Sequence, residues 1–264
     1  MHIIKRELRA HLKSLMIWSG VMIVLIFLMM SEFAAYYNNP EMADILESMP
    51  ESMLKAFSME NANLTTVSGY VSLVSFYFYL ILGVFSVLLG SSIISKEERD
   101  KTSEFFLTLP ISREKVIFSK LVAAIINCMI LLIVTGGTVI AAVLKYEPNK
   151  EFYKFFGLML IAIFIIQMIF LSIGMFLSSI LKRYKSSGKV SASILFGLYI
   201  FSIISALNEK LDFLKYVSPF KYFEANKLLN TSEFELKYLL LSFGIITICI
   251  IGTFMIYPKR DLRL

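Results

Sequence analysis

The chain has 264 residues, of which 57% are hydrophobic and 17% are charged, and its mean hydropathy is +0.72. This composition excludes an ordinary soluble domain and indicates one polytopic membrane domain. A net charge of +6 would point to nucleic acid in a soluble protein, but here the basic residues flank apolar runs, so we expect no nucleic acid partner. Both cysteines lie inside apolar runs, which indicates neither a disulfide framework nor a zinc site.

The first 14 residues have the pattern of an amphipathic helix lying in the lipid headgroup layer. Ile4, Leu8 and Leu12 fall on one helical face, and the rest carries the cations Lys5, Arg6, Arg9 and Lys13. Such cations bind near anionic lipid, so these four form the predicted membrane-interface set. The alternative is the charged start of a signal peptide. It is disfavoured because no A-x-A cleavage site follows and further apolar runs do.

Six apolar runs are each long enough to cross a hydrocarbon core of about 30 Å at about 1.5 Å per residue. They cover residues 15–36, 70–95, 119–144, 155–181, 188–207 and 236–257. The fold class is therefore an all-α membrane protein. We expect six transmembrane helices, an N-terminal interfacial helix, a short helix between spans 2 and 3, and short outer-surface helices.

An even number of spans puts both termini on one side of the membrane. The segments on that side carry 17 Lys and Arg residues, and the segments on the other side carry nine. Basic residues are enriched in cytoplasmic segments, so we expect a multi-pass protein with both termini in the cytoplasm.

The polar loop of residues 95–120 joins spans 2 and 3 on the cytoplasmic side. Ser95 and Glu98 match a capping box, and Glu97 stands four residues before Lys101, which favours a short helix. One face of this helix would carry Thr102, Phe105, Phe106 and Leu109, Pro110 would end it, and Ser112 would cap the next helix. With near-neutral charge, the loop fits a protein partner. The alternative is an interfacial loop with solvated charges and phenylalanines dipping into lipid headgroups.

Two outer loops also contain helical patterns. In residues 37–69, apolar positions recur at helical spacing around Pro50, which predicts two short surface helices. Residues 208–235 form another amphipathic stretch, broken by Pro219. Both loops are candidate lids, and the alternative is that they only roof the bundle.

Small residues and amides mark a few positions inside the spans. The pairs Ser86 with Gly90, Gly174 with Ser178, and Ser193 with Gly197 would let helices approach closely. The candidate substrate-pathway residues are Gly83, Gly90, Asn127, Gly136, Gly137 and Gln167. For Asn127 and Gln167 the alternative is an interhelical hydrogen bond.

The span cores contain no ionisable residue, which argues against an ion-coupled carrier, a channel with charged rings, and an intramembrane enzyme. We therefore predict no catalytic residue and no metal site. Gly188 and Lys189 are followed by Val190 rather than Ser or Thr, so they form no phosphate loop. ATP energy would have to come from another chain. A rival reading is a membrane enzyme that turns over substrate without a partner.

The stretch KEERDKTSEFFLTLPISREKVIFSK resembles the cytoplasmic loop of ABC transporter permeases of the ABC-2 type. Lys101 replaces the usual Gly of that loop, whereas the following positions match: Thr102, Glu104, Leu109, Pro110, Ile111, Ser112, Arg113 and Lys120. The segments MPESMLKAF and SPF look like outer-loop signatures of the same family. With the six spans and the N-terminal helix, the resemblance covers essentially the whole chain.

The resemblance implies the membrane subunit of a two-component exporter. A second permease subunit, identical or different, would pair with this chain, and each would receive a cytoplasmic ABC ATPase that binds ATP and Mg. This chain itself would bind no cofactor. The helix in the loop of residues 95–120 would be the coupling helix, which contacts the ATPase, and this loop would be the coupling loop. The residues implied to dock the ATPase are Glu97, Glu98, Lys101, Thr102, Glu104, Phe105, Phe106, Leu109 and Arg113. We expect the chain in a bacterial plasma membrane, in contact with lipid.

An apolar, uncharged bundle disfavours a bare ion or a free sugar as cargo. We therefore expect a hydrophobic or amphipathic substrate, first a peptide or an antibiotic. The alternatives are export of a lipid or a lipid-linked saccharide, and a non-transporting membrane anchor or sensor for an ATPase.

Overall fold

The computed structural model describes residues 2–37, 39, 63–99, 112–181, 184–207 and 209–259. Within these ranges the chain is helical and contains no strand, which confirms the all-α prediction. The α-helices are α1 (His2–Tyr36), α2 (Val67–Arg99), α3 (Arg113–Val143), α4 (Lys150–Ile180), α5 (Tyr184–Leu207), α6 (Ala225–Thr231) and α7 (Leu236–Ile256). Short 3-10 helices cover Leu144–Tyr146, Glu209–Tyr216, Pro219–Lys221 and Tyr257–Lys259.

Six helical segments are long and apolar enough to cross a membrane, as predicted. They are Ile3–Tyr36, Val67–Lys96, Arg113–Tyr146, Lys150–Ile180, Ser186–Leu207 and Leu236–Lys259. The first four have 30 or more residues. At about 1.5 Å per residue they exceed a core of about 30 Å, so they must tilt or project beyond it.

Helix α1 runs without interruption from His2 to Tyr36, so no boundary separates an N-terminal helix at residues 1–14 from a span at residues 15–36. The segment around that expected boundary, AHLKSL, contains neither Gly nor Pro to break the helix. Leu12, on the predicted apolar face, is 48% exposed. The buried face of this part of α1 instead carries Glu7, His11 and Leu15.

The Ser95 capping box is likewise wrong, because α2 continues past Ser95 to Arg99. The Ser95 hydroxyl donates to the carbonyl oxygen of Ser91 at 2.9 Å, the usual way in which a serine inside a helix satisfies its side chain. The Ser112 cap is confirmed: its hydroxyl accepts a hydrogen bond from the Lys115 amide at 3.4 Å. The coupling helix predicted within residues 95–109 lies outside the described residues from position 100 onward.

Helices α2 and α4 form the central crossing of the bundle. A Cβ atom added to Gly90 would lie 2.3 Å from the carbonyl oxygen of Leu171, and one added to Gly174 would lie 2.3 Å from that of Val87. Both positions therefore require glycine for the two backbones to approach this closely. This confirms two of the predicted small-residue pairs. The third pair, Ser193 with Gly197, does not mark a close approach, because a Cβ atom added to Gly197 would have no neighbour within 4 Å in the described part of the chain.

The remaining helices flank this crossing. Helix α1 packs mainly along α3, α5 lies against α2, and α7 lies against α4. At the end opposite Arg99, the segment before α6 folds back onto the helices, where the Ser218 hydroxyl donates to the carbonyl oxygen of Leu198 at 2.7 Å. The ring of Phe220 lies 5.2 Å from that of Phe170. The loop at residues 208–235 thus covers one end of the bundle. In the outer loop predicted at residues 37–69, the part around Pro50 for which two short helices are predicted lies outside the described residues.

Candidate functional site

The α2–α3 end is the end of the bundle at which α2 stops at Arg99 and α3 starts at Arg113. It also receives the beginning of α1 and the 3-10 turn Tyr257–Lys259 after α7. Most predicted docking residues, from Lys101 to Leu109, lie outside the described residues, and so does the side chain of Glu97. The structure does describe the two helices that enter and leave this loop. Their contacts show what the loop would be attached to.

Glu7 of α1 is the central charge of this end. Its side chain is fully buried, and its Oε2 atom accepts a hydrogen bond from Lys96 Nζ at 3.1 Å. Its Oε1 atom accepts from Arg6 Nη2 at 2.9 Å. A buried carboxylate is costly unless cations and hydrogen bonds compensate for it, and here both oxygens are paired. The ion pair with Lys96 joins the first turns of α1 to the last turns of α2.

Lys120 provides a second link, between α2 and α3. Its side chain is fully buried, and its Nζ atom donates to the carbonyl oxygen of Ile93. Its positive charge also acts on the Glu7 carboxylate. Because Ile93 precedes the loop of residues 95–120 and Lys120 is its last residue, the two helices that carry the loop are tied together close to where it begins and ends.

Arg113 makes a third link. Its Nη1 atom donates to the carbonyl oxygen of Pro258 at 2.7 Å, so the start of α3 is bound to the 3-10 turn after α7. The sequence had placed Arg113 in the docking set, and the structure gives its guanidinium an internal contact. Glu98, another member of that set, is partly buried at the end of α2.

Sequence reasoning missed Glu7 because it placed residues 1–14 on the membrane surface. The signal was present in the spacing: Glu7, His11 and Leu15 follow one another at intervals of four and share one helical face. The four predicted membrane-interface cations, Lys5, Arg6, Arg9 and Lys13, are all exposed. Their contact with lipid remains a prediction.

The candidate pathway residues do not form one cluster. Gly83 lies against Phe170, Gly90 lies in the α2–α4 crossing, and Gly136 lies against Leu160, whereas Gly137 has no neighbour within 4 Å in the described ranges. Their role in a pathway remains a prediction.

The two amides differ in their contacts. Gln167 donates from α4 to the carbonyl oxygen of Cys128 in α3 at 3.4 Å, which is the interhelical bond that had been the alternative for it. Asn127 donates to the carbonyl oxygen of Ala123 within its own helix at 2.8 Å. Cys128 itself lies 3.5 Å from the Ser86 hydroxyl of α2. These side chains therefore contribute to the packing between α2, α3 and α4.

Within the described ranges no three His, Cys, Asp or Glu side chains are grouped so that they could hold a metal ion. At the α2–α3 end, Glu7 pairs with Arg6 and Lys96, and Lys120 and Arg113 donate to backbone carbonyls. Such an arrangement can hold helices in register and transmit a displacement between them.

Comparison with known proteins identifies the family of this chain. No curated protein matched the sequence. A family model described as ABC-2 family transporter protein matches residues 1–262. That match spans nearly the whole chain, including the α2–α3 end and all six apolar segments. The chain therefore belongs to the ABC-2 family of transporter proteins.

Proposed function

We propose that this chain is the membrane-spanning permease subunit of an ATP-driven exporter, moved by a separate ABC ATPase that binds ATP and Mg. The ATPase docks on the coupling loop between α2 and α3, with the twin aromatic residues Phe105 and Phe106 at the centre of the contact. The family match supports a transporter subunit. The coupling step rests on the geometry of the helices on either side of the loop.

The observation that carries the proposal is the three-helix link at the α2–α3 end. Glu7 of α1 is bound to Lys96 of α2, and Lys120 of α3 is bound to the Ile93 carbonyl of α2. A displacement of the loop would therefore move α1, α2 and α3 together, rather than bending one helix. The close crossing of α2 and α4 at Gly90 and Gly174 would extend this movement to α4.

The cargo of this exporter is hydrophobic or amphipathic, with a peptide or an antibiotic as the first class to test. The buried surfaces between the spans are largely apolar, and the fully buried charged side chains of the described residues, Glu7 and Lys120, lie at the α2–α3 end. This distribution supports an apolar or amphipathic cargo over a free ion, which would need charged or coordinating groups nearer the membrane centre.

A second permease subunit completes the transporter. Several large apolar side chains of α7 are exposed, among them Phe243 at 71% and Ile248 at 70%. In a membrane such side chains face either lipid or another transmembrane helix. Both termini, and with them the α2–α3 end, lie in the cytoplasm of a bacterial cell, as the distribution of basic residues supports.

The experiment is to replace Phe105 and Phe106 together with Ala in the full chain and to co-express it with the proposed ABC ATPase partner. We expect the double variant to enter the membrane normally and to lose co-purification of the ATPase. Phe118→Ala is the matched control, because Phe118 is a 58% exposed phenylalanine of α3 that is not among the proposed docking residues, the last of which is Arg113. Unchanged co-purification of the F105A/F106A variant would overturn the docking proposal.

A further inference from the structure

A cavity of about 640 Å³ separates the first half of α1 from the end of α2 and the beginning of α5. Helix α1 contacts α2 on either side of it. Towards the membrane centre, the rings of Trp18 and Phe85 meet with centroids 5.8 Å apart. Towards the α2–α3 end, Glu7 and Lys96 form their ion pair at 3.1 Å. Eleven helical residues separate Glu7 from Trp18, which corresponds to about 16 Å along α1.

The two ends of this cavity differ in chemistry. The end near the membrane centre is lined by the aromatic rings of Trp18 and Phe85 and by Leu88 and Leu89. The other end is lined by basic side chains and by serine hydroxyls, including Ser91 and Ser187, which hydrogen-bond to each other at 2.9 Å. The cavity is therefore amphipathic along the direction of the helices.

The polar end carries positive charge. Lys13 of α1 and Lys189 of α5 are exposed at its rim, and the buried His11 forms part of its wall. No Asp or Glu is among the lining residues. Across the parts of the chain that the structure describes, neither Lys13 nor Lys189 forms an ion pair. Glu7, just beyond the cavity, is already paired with Lys96 and Arg6.

We infer that this cavity binds an anionic glycerophospholipid, with the headgroup phosphate between Lys13 and Lys189 and the upper part of an acyl chain against Trp18 and Phe85. Lys13 stands just before the apolar stretch of α1 that begins at Leu15, and Lys189 is the fourth residue of the segment Ser186–Leu207, which places both at the depth of lipid headgroups. Serine hydroxyls are suitable donors to phosphate oxygens. The volume lies within the range of about 300–1,000 Å³ that is usual for small-molecule sites.

A free phosphate ion has the same charge and hydrogen-bonding groups as the headgroup, but it would make no favourable contact with the apolar end of the cavity. An acyl chain explains both ends of the cavity together, so we commit to the lipid. The inference depends on the chain's place in the membrane and not on its coupling to an ATPase, so it can fail or succeed independently of the proposed function.

The protein contains a single tryptophan, and that residue lines the cavity, so its fluorescence reports occupancy directly. The full chain is reconstituted in phosphatidylcholine vesicles, to which brominated phosphatidylglycerol or brominated phosphatidylcholine is added at the same mole fraction. Bromine quenches tryptophan on contact. We expect brominated phosphatidylglycerol to quench Trp18 more strongly, and at lower mole fraction, than the zwitterionic lipid.

The variant K13Q/K189Q should remove this preference, because each lysine near an anionic headgroup contributes about fivefold to binding. The variant K13R/K189R should keep it. The matched control is K145Q/K154Q, which changes two exposed lysines at the opposite end of the bundle and should leave the preference intact. Equal quenching by the two lipids in the unchanged protein, or an unchanged preference in K13Q/K189Q, would overturn the inference.

A competition experiment distinguishes binding of a phospholipid headgroup from binding of a free phosphate compound. Soluble glycerol 3-phosphate at millimolar concentration should leave the quenching by brominated phosphatidylglycerol unchanged, because it lacks the chain that contacts Trp18. Full relief of quenching by glycerol 3-phosphate would show a site for free phosphate compounds and would overturn the lipid assignment.

Discussion

Lys96 Nζ lies 3.1 Å from Oε2 of Glu7, although the two residues are 89 positions apart in the chain. The Glu7 side chain is fully buried and that of Lys96 is 13% exposed, so the pair is largely shielded from solvent. A buried pair of this kind differs from a surface ion pair, because losing one partner leaves an uncompensated charge inside the protein.

This difference predicts a strong interaction between the two side chains. Replacing either Glu7 or Lys96 with Ala should lower the free energy of unfolding in detergent by about 3–5 kcal/mol. The double variant E7A/K96A should lose clearly less than the sum of the two, and a double-mutant cycle measures the difference. Lys227→Ala serves as the control. Its partner is Glu235, the two side chains are 61% and 41% exposed, and the loss should stay below about 1 kcal/mol. Additive losses in E7A/K96A would contradict a direct pair.

The helix crossing at Gly90 and Gly174 predicts a selective effect of adding one methyl group. Gly90→Ala or Gly174→Ala would bring a Cβ atom to 2.3 Å from a backbone carbonyl oxygen, so α2 and α4 would have to separate. We expect each change to lower the free energy of unfolding by about 1–3 kcal/mol. Thermal unfolding of the purified protein measures the effect.

Gly197→Ala provides the control for this crossing, because the added methyl group meets no neighbour within 4 Å among the described residues. It should keep or slightly raise stability, since Ala favours a helix by about 1 kcal/mol over Gly. Equal destabilisation at Gly90 and Gly197 would mean that the close approach of α2 and α4 does not determine the result.

The contact between Arg113 and Pro258 predicts that this arginine acts within the subunit. Arg113→Ala should lower the free energy of unfolding by about 1.5–3 kcal/mol, the usual contribution of a hydrogen bond from a charged donor. Co-purification of the ATPase should persist in R113A and be lost in F105A/F106A. If R113A kept full stability and lost the ATPase, Arg113 would belong to the docking surface instead.

The sequence was sufficient for features that depend on local composition. Six apolar runs follow from length and hydropathy alone, and the Ser112 cap follows from its position before a helix. Gly90, Gly174 and Gly197 each belonged to a predicted small-residue pair, but the approach of Gly90 to the helix that carries Gly174 was not predicted. Deciding which of these glycines lies at a close approach required knowing which helix faces meet, and that depends on tertiary packing.

Other features could not be predicted because a local pattern competed with a distant contact. Ser95 and Glu98 match a capping box, but the helix continues through them because nothing in α2 interrupts it. Glu7 lies among four cations and looks like a solvated surface residue until Lys96 and Lys120 are placed beside it. The docking residues from Lys101 to Leu109 lie outside the described part of the chain, so their role remains a prediction.

The unbroken length of α1 has a consequence for the far side of the bundle. Glu7 and Phe33 belong to the same helix, about 39 Å apart along its axis. Phe33 packs against Tyr70 and Tyr146, with ring centroids 4.7 and 4.8 Å away. Because α1 is this long, a small tilt of the helix at Glu7 produces a sideways displacement at Phe33. The aromatic group around Phe33 is then either the pivot that stays in place or the first contact to separate when that end of the bundle moves.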